Sequence, residues 1–384
     1  MSASPRGSNQ RNALPSDRPP PQIGLAKGLL YSALVFATLF VVAEVSIRMW
    51  AYFFREQYER YDPASEAFIL VPGQHRVGQR IIKINNSGFV GAELQPDSPD
   101  LLRILTLGDS CTFGPGDGSG AYPELLQSKL RDIDKGPLRY EVVNGGVEGH
   151  WSEMALRRLR SKAPALSPDI VTIYIGWNDL MKFDPLGQAD TTRWAGIVTW
   201  LDKLWLTKAV RKVAFFFIRP ALVEPAVGPK SRSGHFANYR PRRYEENLRA
   251  LVAGVRAVGA QPVLLSLPTV VRADMTVADL KAAGVMFPYY ASAYGVGDLL
   301  DLLGAYNRSI REIATEQQVL LVDLDEIFSK RPDSRPYFFD TMHPSRKGHE
   351  LIADALFASF QRAGLLARTG SKRGTTALPE STAP

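Results

Sequence analysis

Residues 169–176 read DIVTIYIG, and after the leading aspartate this stretch is apolar, rich in β-branched residues and without charge. Such a run is typical of a strand that is buried on both faces. Strands of this kind occur in parallel sheets, because the helices that connect parallel strands cover both sides of the sheet. The stretch therefore predicts an α/β protein.

Apolar runs of the same kind recur on either side of this stretch. They lie at 103–108 (RILTLG), 140–144 (YEVVN), 262–267 (PVLLSL) and 319–323 (VLLVD). Amphipathic stretches that predict helices separate or follow them, at 122–130, 152–162, 243–258, 300–316 and 344–360. Five strands that alternate with helices predict a parallel sheet with helices on both faces.

A candidate membrane segment precedes the alternating region. The run 28–43 (GLLYSALVFATLFVVA) contains no charged residue. Because a spanning helix needs about 20 residues, we predict a membrane helix over 25–50, in which Glu44 and Arg48 pair near the interface. A cleaved signal peptide is the competing interpretation, and both versions export the rest of the chain. The basic leader 1–24 predicts a cytoplasmic N-terminus in the inner membrane, with the body of the chain periplasmic or extracellular.

The chain is thus predicted to have one folded domain and several accessory segments. These are a disordered basic leader (1–24), a membrane helix (25–50), a short β-containing lead-in (56–100), an α/β domain (101–364) and a disordered tail (365–384). Two aromatic-rich stretches, 183–238 and 269–298, interrupt the domain and are predicted to be insertions. Aromatic density is typical of ordinary packing, and a substrate lid or a surface that touches the bilayer are the alternatives.

Composition excludes several classes of protein. The single cysteine, Cys111, excludes an internal disulfide and a cysteine-based zinc site. The net charge of +7 is concentrated in the leader and the tail, so the folded part has no predicted basic patch for nucleic acid. We find neither metal-ligand spacing nor a phosphate-binding glycine motif, and we therefore predict no metal and no cofactor.

Unusual polar residues follow four of the predicted strands. The loops read GDSCTFG (108–114), NGGVEGH (144–150), GWND (176–179) and FDTMHP (339–344). Loops at the carboxyl ends of parallel strands meet at one edge of the sheet and form the site of such proteins. These four loops are therefore the candidate site.

One loop supplies a candidate nucleophile and another supplies a base with its partner. A serine nucleophile needs a base within hydrogen-bond reach and a carboxylate that orients this base. Asp340 and His343 lie three residues apart at a predicted helix start, so the carboxylate can accept from Nδ1 and leave Nε2 for Ser110. An alternative role for Ser110 is that of a helix cap.

Three groups are available as donors to a developing oxyanion. They are the backbone N–H of Ser110, the backbone N–H of Gly149 and the side-chain amide of Asn178. Gly149 and Asn178 can also be explained as turn residues. We interpret Asp109 as a supporting turn residue that accepts hydrogen bonds from the loop backbone, rather than as an acid catalyst.

The four loops, in this order, resemble the SGNH (GDSL) hydrolase superfamily over about residues 84–360. The resemblance implies a three-layer α/β/α sandwich with a five-stranded parallel core, and ester or thioester chemistry. Residue by residue, it implies Ser110 as nucleophile, Asp340 and His343 as the other members of the triad, and Gly149 and Asn178 in the oxyanion hole. Cys111 stands where the GDSL motif usually has leucine.

Two further features bear on the function that this resemblance implies. The segment INNSGFVG at 84–91, together with the predicted anchor, resembles membrane-anchored bacterial members of the group. The leading interpretation is an exported ester hydrolase that acts on a small-molecule, glycan or lipid acyl ester. An O-acyltransferase of surface polysaccharides remains open, and so does a catalytically silent module that binds carbohydrate or lipid.

Overall fold

The computed structural model describes most of the chain. Described are residues 24–54, 58–115, 120–133, 138–181, 236–279 and 296–367, apart from single positions within them, and residues 204 and 206. The predicted disordered leader, up to residue 23, and the predicted tail from residue 368 lie outside the described residues. The same holds for 183–203, 205, 207–235 and 237 of the first predicted insertion, and for 277 and 280–295 of the second.

The first described element is a 30-residue helix, α1 (Leu25–Phe54). Its segment Ala26–Met49 has a mean hydropathy of 2.0 and is hardly buried by the rest of the chain. The helix is therefore long and apolar enough to cross a membrane, as the uncharged run predicts. A signal sequence near the N-terminus fits the same length and composition.

One carboxylate of α1 has two partners. Arg48 Nε donates to Glu44 Oε1 at 2.7 Å, which is the pair that the i,i+4 spacing predicts. The backbone N–H of Leu206 donates to Glu44 Oε2, also at 2.7 Å. Leu206 belongs to the first predicted insertion, so this insertion contacts α1 directly.

The lead-in consists of two antiparallel hairpins. Their strands are β1 (Glu59–Asp62) with β2 (Ala67–Leu70), and β3 (Gly73–Val77) with β4 (Arg80–Ile84). The segment 84–91 then joins them to the domain, because the N–H of Val90 donates to the carbonyl of Asn144 at 3.2 Å. The buried guanidinium of Arg158 also bridges the two parts, donating to the carbonyls of Gly88 at 2.8 Å and Gly145 at 3.1 Å.

The domain is built on a five-stranded parallel sheet with the strand order β6-β5-β7-β8-β9. The strands are β5 (Leu101–Gly108), β6 (Arg139–Gly146), β7 (Ile170–Tyr174), β8 (Gln261–Leu265) and β9 (Leu320–Val322). All residues of β7 are buried, as expected for a central strand with helices on both faces. The prediction of a five-stranded parallel α/β fold is confirmed.

Helices cover both faces of this sheet. They are α2 (Ser110–Phe113), α3 (Tyr122–Ile133), α4 (Ser152–Leu166), α5 (Trp177–Met181), α6 (Arg242–Ala257), α7 (Val296–Glu316), α8 (Leu324–Ser329) and α9 (Arg346–Arg362). Helix α3 packs against α9 on one face, and α6 packs against α4 and α7 on the other. The result is three layers, with the apolar core between the sheet and each helix layer.

The last helix begins two residues later than the sequence predicts. Pro344 pairs with Phe338 in a short antiparallel bridge instead of entering the helix. Ser345 is the N-cap of α9, and its Oγ accepts the N–H of Gly348 at 3.4 Å. The loop that carries Asp340 and His343 is therefore a tight hairpin that is closed before α9 starts.

Candidate active site

The loop after β5 places Ser110 at the carboxyl edge of the sheet. Asp109 caps α2, with Oδ1 accepting the N–H of Cys111 at 2.9 Å, and Ser110 is the first residue of that helix. A β-carbon at Gly108 would lie 2.0 Å from the Thr112 hydroxyl and 2.6 Å from the Tyr174 carbonyl. Glycine is therefore required at the strand end, because the chain must turn sharply against β7.

Three side chains from two distant loops form a hydrogen-bonded relay. Ser110 Oγ lies 2.8 Å from His343 Nε2. His343 Nδ1 lies 2.6 Å from Asp340 Oδ2. The other oxygen of Asp340 accepts the backbone N–H groups of Met342 at 2.9 Å and His343 at 2.8 Å, so the carboxylate is fixed in position. This arrangement can move a proton from a hydroxyl to an imidazole.

The charges around the imidazole raise the pKa of His343. Burial, the largest influence, disfavours the charged form of His343, but the hydrogen bond and the charge of Asp340 oppose it. The charges of Asp109 and Glu148 add to this opposition, and the pKa of His343 rises above its ordinary value. For Asp340, burial favours the neutral form, yet its bonds to His343 and the loop backbone leave the pKa below its usual range.

The predicted oxyanion donors lie at the same edge of the sheet. Among the described residues, no acceptor takes the backbone N–H of Ser110 or of Gly149. Gly149 has a φ of +72°, and nothing lies within 4 Å of a β-carbon placed there, so its glycine serves the backbone conformation. Asn178 Nδ2 donates to the carbonyl of His150 at 2.9 Å, which orients this amide.

Asp109 lies beneath these groups. Its side chain is buried, and desolvation raises the pKa of Asp109 to about 6. Asp109 Oδ2 lies 3.5 Å from Asn178 Nδ2, so one carboxylate contacts both α2 and the amide of Asn178 in the third loop. The supporting role of Asp109 stays a prediction.

Sequence reasoning did not assign a role to Asp179, which ties the third loop to α4. Asp179 accepts the hydroxyl of Ser152 at 2.5 Å and its backbone N–H at 2.9 Å. The amide of Asn247 in turn donates to the Ser152 hydroxyl at 2.9 Å. The only sequence signal was the position of Asp179, next to Asn178 at a strand end.

Three more polar residues at this edge were also missed. Glu148 precedes Gly149, and its carboxylate accepts a hydrogen bond from the Tyr58 hydroxyl. Arg80 contacts the same carboxylate at 3.4 Å. No sequence signal could identify this group, because Tyr58 and Arg80 belong to the lead-in, and the order of the parallel strands does not specify how the lead-in packs on the loop at 144–150.

The remaining features of the site are structural. His150 is buried, and its Nε2 lies 3.1 Å from the carbonyl of Phe68. His349 is buried as well, and its Nδ1 accepts the N–H of Tyr122 at 3.3 Å. Within the described part of the chain, no group of three or more His, Cys, Asp or Glu side chains is arranged to hold a metal ion.

Comparison with known proteins gives matches over most of the domain. A family model described as the GDSL-like lipase/acylhydrolase family matches residues 106–351. The uncharacterised protein YpmR of Bacillus subtilis (strain 168) is 20% identical over 270 residues, which cover 69% of this chain and 83% of that protein.

Solved structures of similar proteins include two esterase-type enzymes. The acetyl xylan esterase AlAXEase is 16% identical, with a TM-score of 0.40 and coverage of 67% of this chain and 99% of that chain. A lipase/acylhydrolase from Enterococcus faecalis is 15% identical, with a TM-score of 0.40 and coverage of 68% and 96%.

Proposed function

This chain belongs to the GDSL-like lipase/acylhydrolase family and is an ester hydrolase, and from that premise we propose how and where it acts. It is an exported, membrane-anchored serine hydrolase that removes an acyl group from a carbohydrate or lipid ester. Ser110 is the nucleophile, His343 is the general base and acid, and Asp340 orients His343. The observation that carries this proposal is the unbroken relay of 2.8 Å and 2.6 Å contacts through these three side chains.

The chemistry follows from the relay. As Ser110 Oγ attacks the acyl carbonyl, its proton passes to His343 Nε2, and the carbonyl oxygen becomes an oxyanion. The imidazolium is stabilised by Asp340. When the tetrahedral intermediate collapses, His343 returns the proton to the leaving alcohol and an acyl-enzyme remains. Water then attacks this ester with His343 as the base, and the product acid leaves Ser110 protonated again.

The oxyanion is stabilised by groups that are already in place. The N–H groups of Ser110 and Gly149 have no protein acceptor among the described residues, so they are available to the developing charge. Asn178 Nδ2 carries two protons, and the carbonyl of His150 takes one of them at 2.9 Å. Its second proton makes only a long contact to Asp109 Oδ2, at 3.5 Å, and in this proposal it turns to the oxyanion and completes a set of three donors. Preorganised donors of this kind contribute about 3–4 kcal/mol each in well-studied hydrolases.

Acyl transfer to a sugar hydroxyl is the second candidate, because the membrane helix would hold the site near lipid-linked glycans. An acyl-enzyme on Ser110 reacts with any hydroxyl that reaches it. The full chain in detergent is incubated with a short p-nitrophenyl ester, with and without a soluble polysaccharide. We expect p-nitrophenol and free acid in both cases. Acyl esters on the polysaccharide instead of free acid would establish the transferase, and absence of p-nitrophenol release would contradict both enzymes.

The proposed location rests on the order of charges and apolar residues along the chain. The leader holds Arg6, Arg11 and Arg18 against Asp17, and it precedes the apolar segment Ala26–Met49. Basic residues remain on the cytoplasmic side of a membrane helix. We therefore infer a single span with the lead-in, the domain with its insertions, and the tail outside the cytoplasm.

Reporter fusions test this topology. Alkaline phosphatase requires export for activity, and we expect it to be active when fused after Arg60. A cytoplasmic reporter such as β-galactosidase should be inactive at the same position. The opposite pattern would overturn the location, and release of the fusion from the membrane after cleavage would support a signal peptide in place of an anchor.

A further inference from the structure

Side chains of the lead-in contact the loop at 144–150, here called the oxyanion loop because it contains Gly149. The lead-in precedes the residues that the family model matches. We propose that Tyr58, Arg80 and Glu148, here called the rim clasp, are positioning residues that fix the Gly149 N–H and support the base. This inference rests on the proposed function, since it assigns a role in the reaction carried out by Ser110 and His343.

Glu148 is the centre of the rim clasp. Its Oε2 accepts the hydroxyl proton of Tyr58, and its Oε1 lies 3.4 Å from both terminal nitrogens of the Arg80 guanidinium. Glu148 directly precedes Gly149 in the sequence. Both carboxylate oxygens are therefore restrained, and with them the peptide unit whose N–H is proposed to meet the oxyanion. This restraint matters because Gly149, with its positive φ and open surroundings, has no side chain to hold it.

Arg80 connects the oxyanion loop to the end of the loop at 108–114, which contains Ser110. Besides Glu148, its guanidinium donates to the carbonyl of Gly114 at 3.3 Å and to the carbonyl of Pro115 at 3.1 Å. Gly114 is the C-cap of α2, the helix that starts with Ser110. A single side chain of β4 thus fixes the distance between the loop of the nucleophile and the loop of the oxyanion donor.

Tyr58 is itself held in place from two sides. Its ring packs on the buried ring of Phe113, with 5.9 Å between the ring centroids. Its carbonyl accepts the N–H of Val71 at 2.8 Å, which belongs to the lead-in. Phe113 lies in α2, so Tyr58 contacts the nucleophile helix with its ring and the oxyanion loop with its hydroxyl.

The carboxylate of Glu148 also acts on the base. Asp340 contacts His343 Nδ1 at 2.6 Å, and the charges of Asp340, Asp109 and Glu148 all favour the protonated form of His343. On the side of α9, burial and then the charge of His343 lower the pKa of His349. Glu148 is only partly exposed, so its charge is incompletely screened by water. Removal of this charge should therefore lower the pKa of His343, which a purely structural contact would not do.

Two substitutions separate the two roles of the rim clasp. In the full chain in detergent, Tyr58→Phe removes the hydrogen bond to Glu148 and keeps the charge. Glu148→Gln removes the charge and keeps a side chain of the same size. We expect kcat on a short p-nitrophenyl ester to fall by about 10-fold or more in both, with KM changed less than about two-fold, because the interaction serves the transition state.

The pH dependence supplies the second readout. For the unaltered chain, kcat/KM should rise with pH through an apparent pKa above 6.5, since only neutral His343 accepts the proton. Glu148→Gln should move this acidic limb to lower pH, whereas Tyr58→Phe should leave its position almost unchanged. The matched controls are Tyr61→Phe, in β1 next to Phe68, and Glu326→Gln, in an exposed pair with Lys330. Both controls should retain the kcat and the acidic limb of the unaltered chain.

The outcomes distinguish this inference from the proposed function. If Ser110→Ala retains most of the activity, the proposed function fails. If Ser110→Ala is inactive while Tyr58→Phe and Glu148→Gln keep the original kcat, the rim clasp has no positioning role. A loss of kcat in Glu148→Gln with an unmoved acidic limb and a lowered Tm would also overturn it, because such a result describes a structural contact alone.

Discussion

Replacement of Ser110 by alanine is expected to lower kcat on a short p-nitrophenyl ester by about 10⁴-fold or more. In the proposed mechanism this hydroxyl forms the acyl-enzyme, and the relay holds no second hydroxyl to replace it beside His343 Nε2, which lies 2.8 Å from Ser110 Oγ. The substrate pocket and the oxyanion donors remain, so KM should change little. A residual rate above that of water is expected from the Gly149 and Asn178 donors alone.

The same variant has a direct chemical readout. A fluorophosphonate probe reacts with activated serines, and it should label the unaltered chain once and fail to label Ser110→Ala. Ser128→Ala is the matched control, because Ser128 is an exposed serine on α3 whose Oγ donates to the Glu124 carbonyl. Ser128→Ala should keep full activity and labelling. A loss of only a few-fold in Ser110→Ala would remove Ser110 from the mechanism.

The second large effect is expected at Asp340. Its carboxylate accepts from His343 Nδ1 through Oδ2 and from two backbone N–H groups through Oδ1. In Asp340→Asn, the amide oxygen can keep the two backbone donors, which turns the NH₂ group toward Nδ1. His343 must then accept at Nδ1 and carry its proton on Nε2, so it presents a donor to Ser110 instead of an acceptor. We expect kcat to fall by about 10³- to 10⁴-fold.

The expected loss of kcat arises from the changed tautomer of His343, and not from the removal of one negative charge. The matched control is Asp333→Asn, an exposed aspartate near the same loop that pairs with Arg335. The control should stay within about two-fold of the original kcat, as expected for a surface ion pair. Near-normal activity of Asp340→Asn, measured with correct folding by circular dichroism, would show that His343 needs no carboxylate partner.

Much of the fold followed from local sequence patterns. The stretch 169–176 predicts a strand without reference to the rest of the chain, and it forms β7 with every residue buried. The site was predictable for a related reason, because loops at the carboxyl ends of parallel strands must meet. Ser110 and His343 are separated by 233 positions, yet their contact follows from the sheet order.

Features that depend on packing between distant segments could not be predicted in the same way. Tyr58 directly precedes β1 and Arg80 begins β4, which are short strands with mixed patterns, and nothing in their neighbourhood specifies Glu148 as a partner. The start of α9 was predicted two residues too early, because proline is common at the first helical position and Pro344 fits that pattern. Only the bridge of Pro344 to Phe338 decides against it.

The contact between Glu44 and Leu206 affects how a soluble form of the enzyme should be made. Removal of α1 is the usual route to a protein that can be handled without detergent. Here it would also remove the carboxylate of Glu44, which accepts the N–H of Leu206 at 2.7 Å. A shortened chain would therefore lack a contact that α1 makes with Leu206 in the full chain. Activity measured on such a chain should therefore be compared with that of the full chain in detergent.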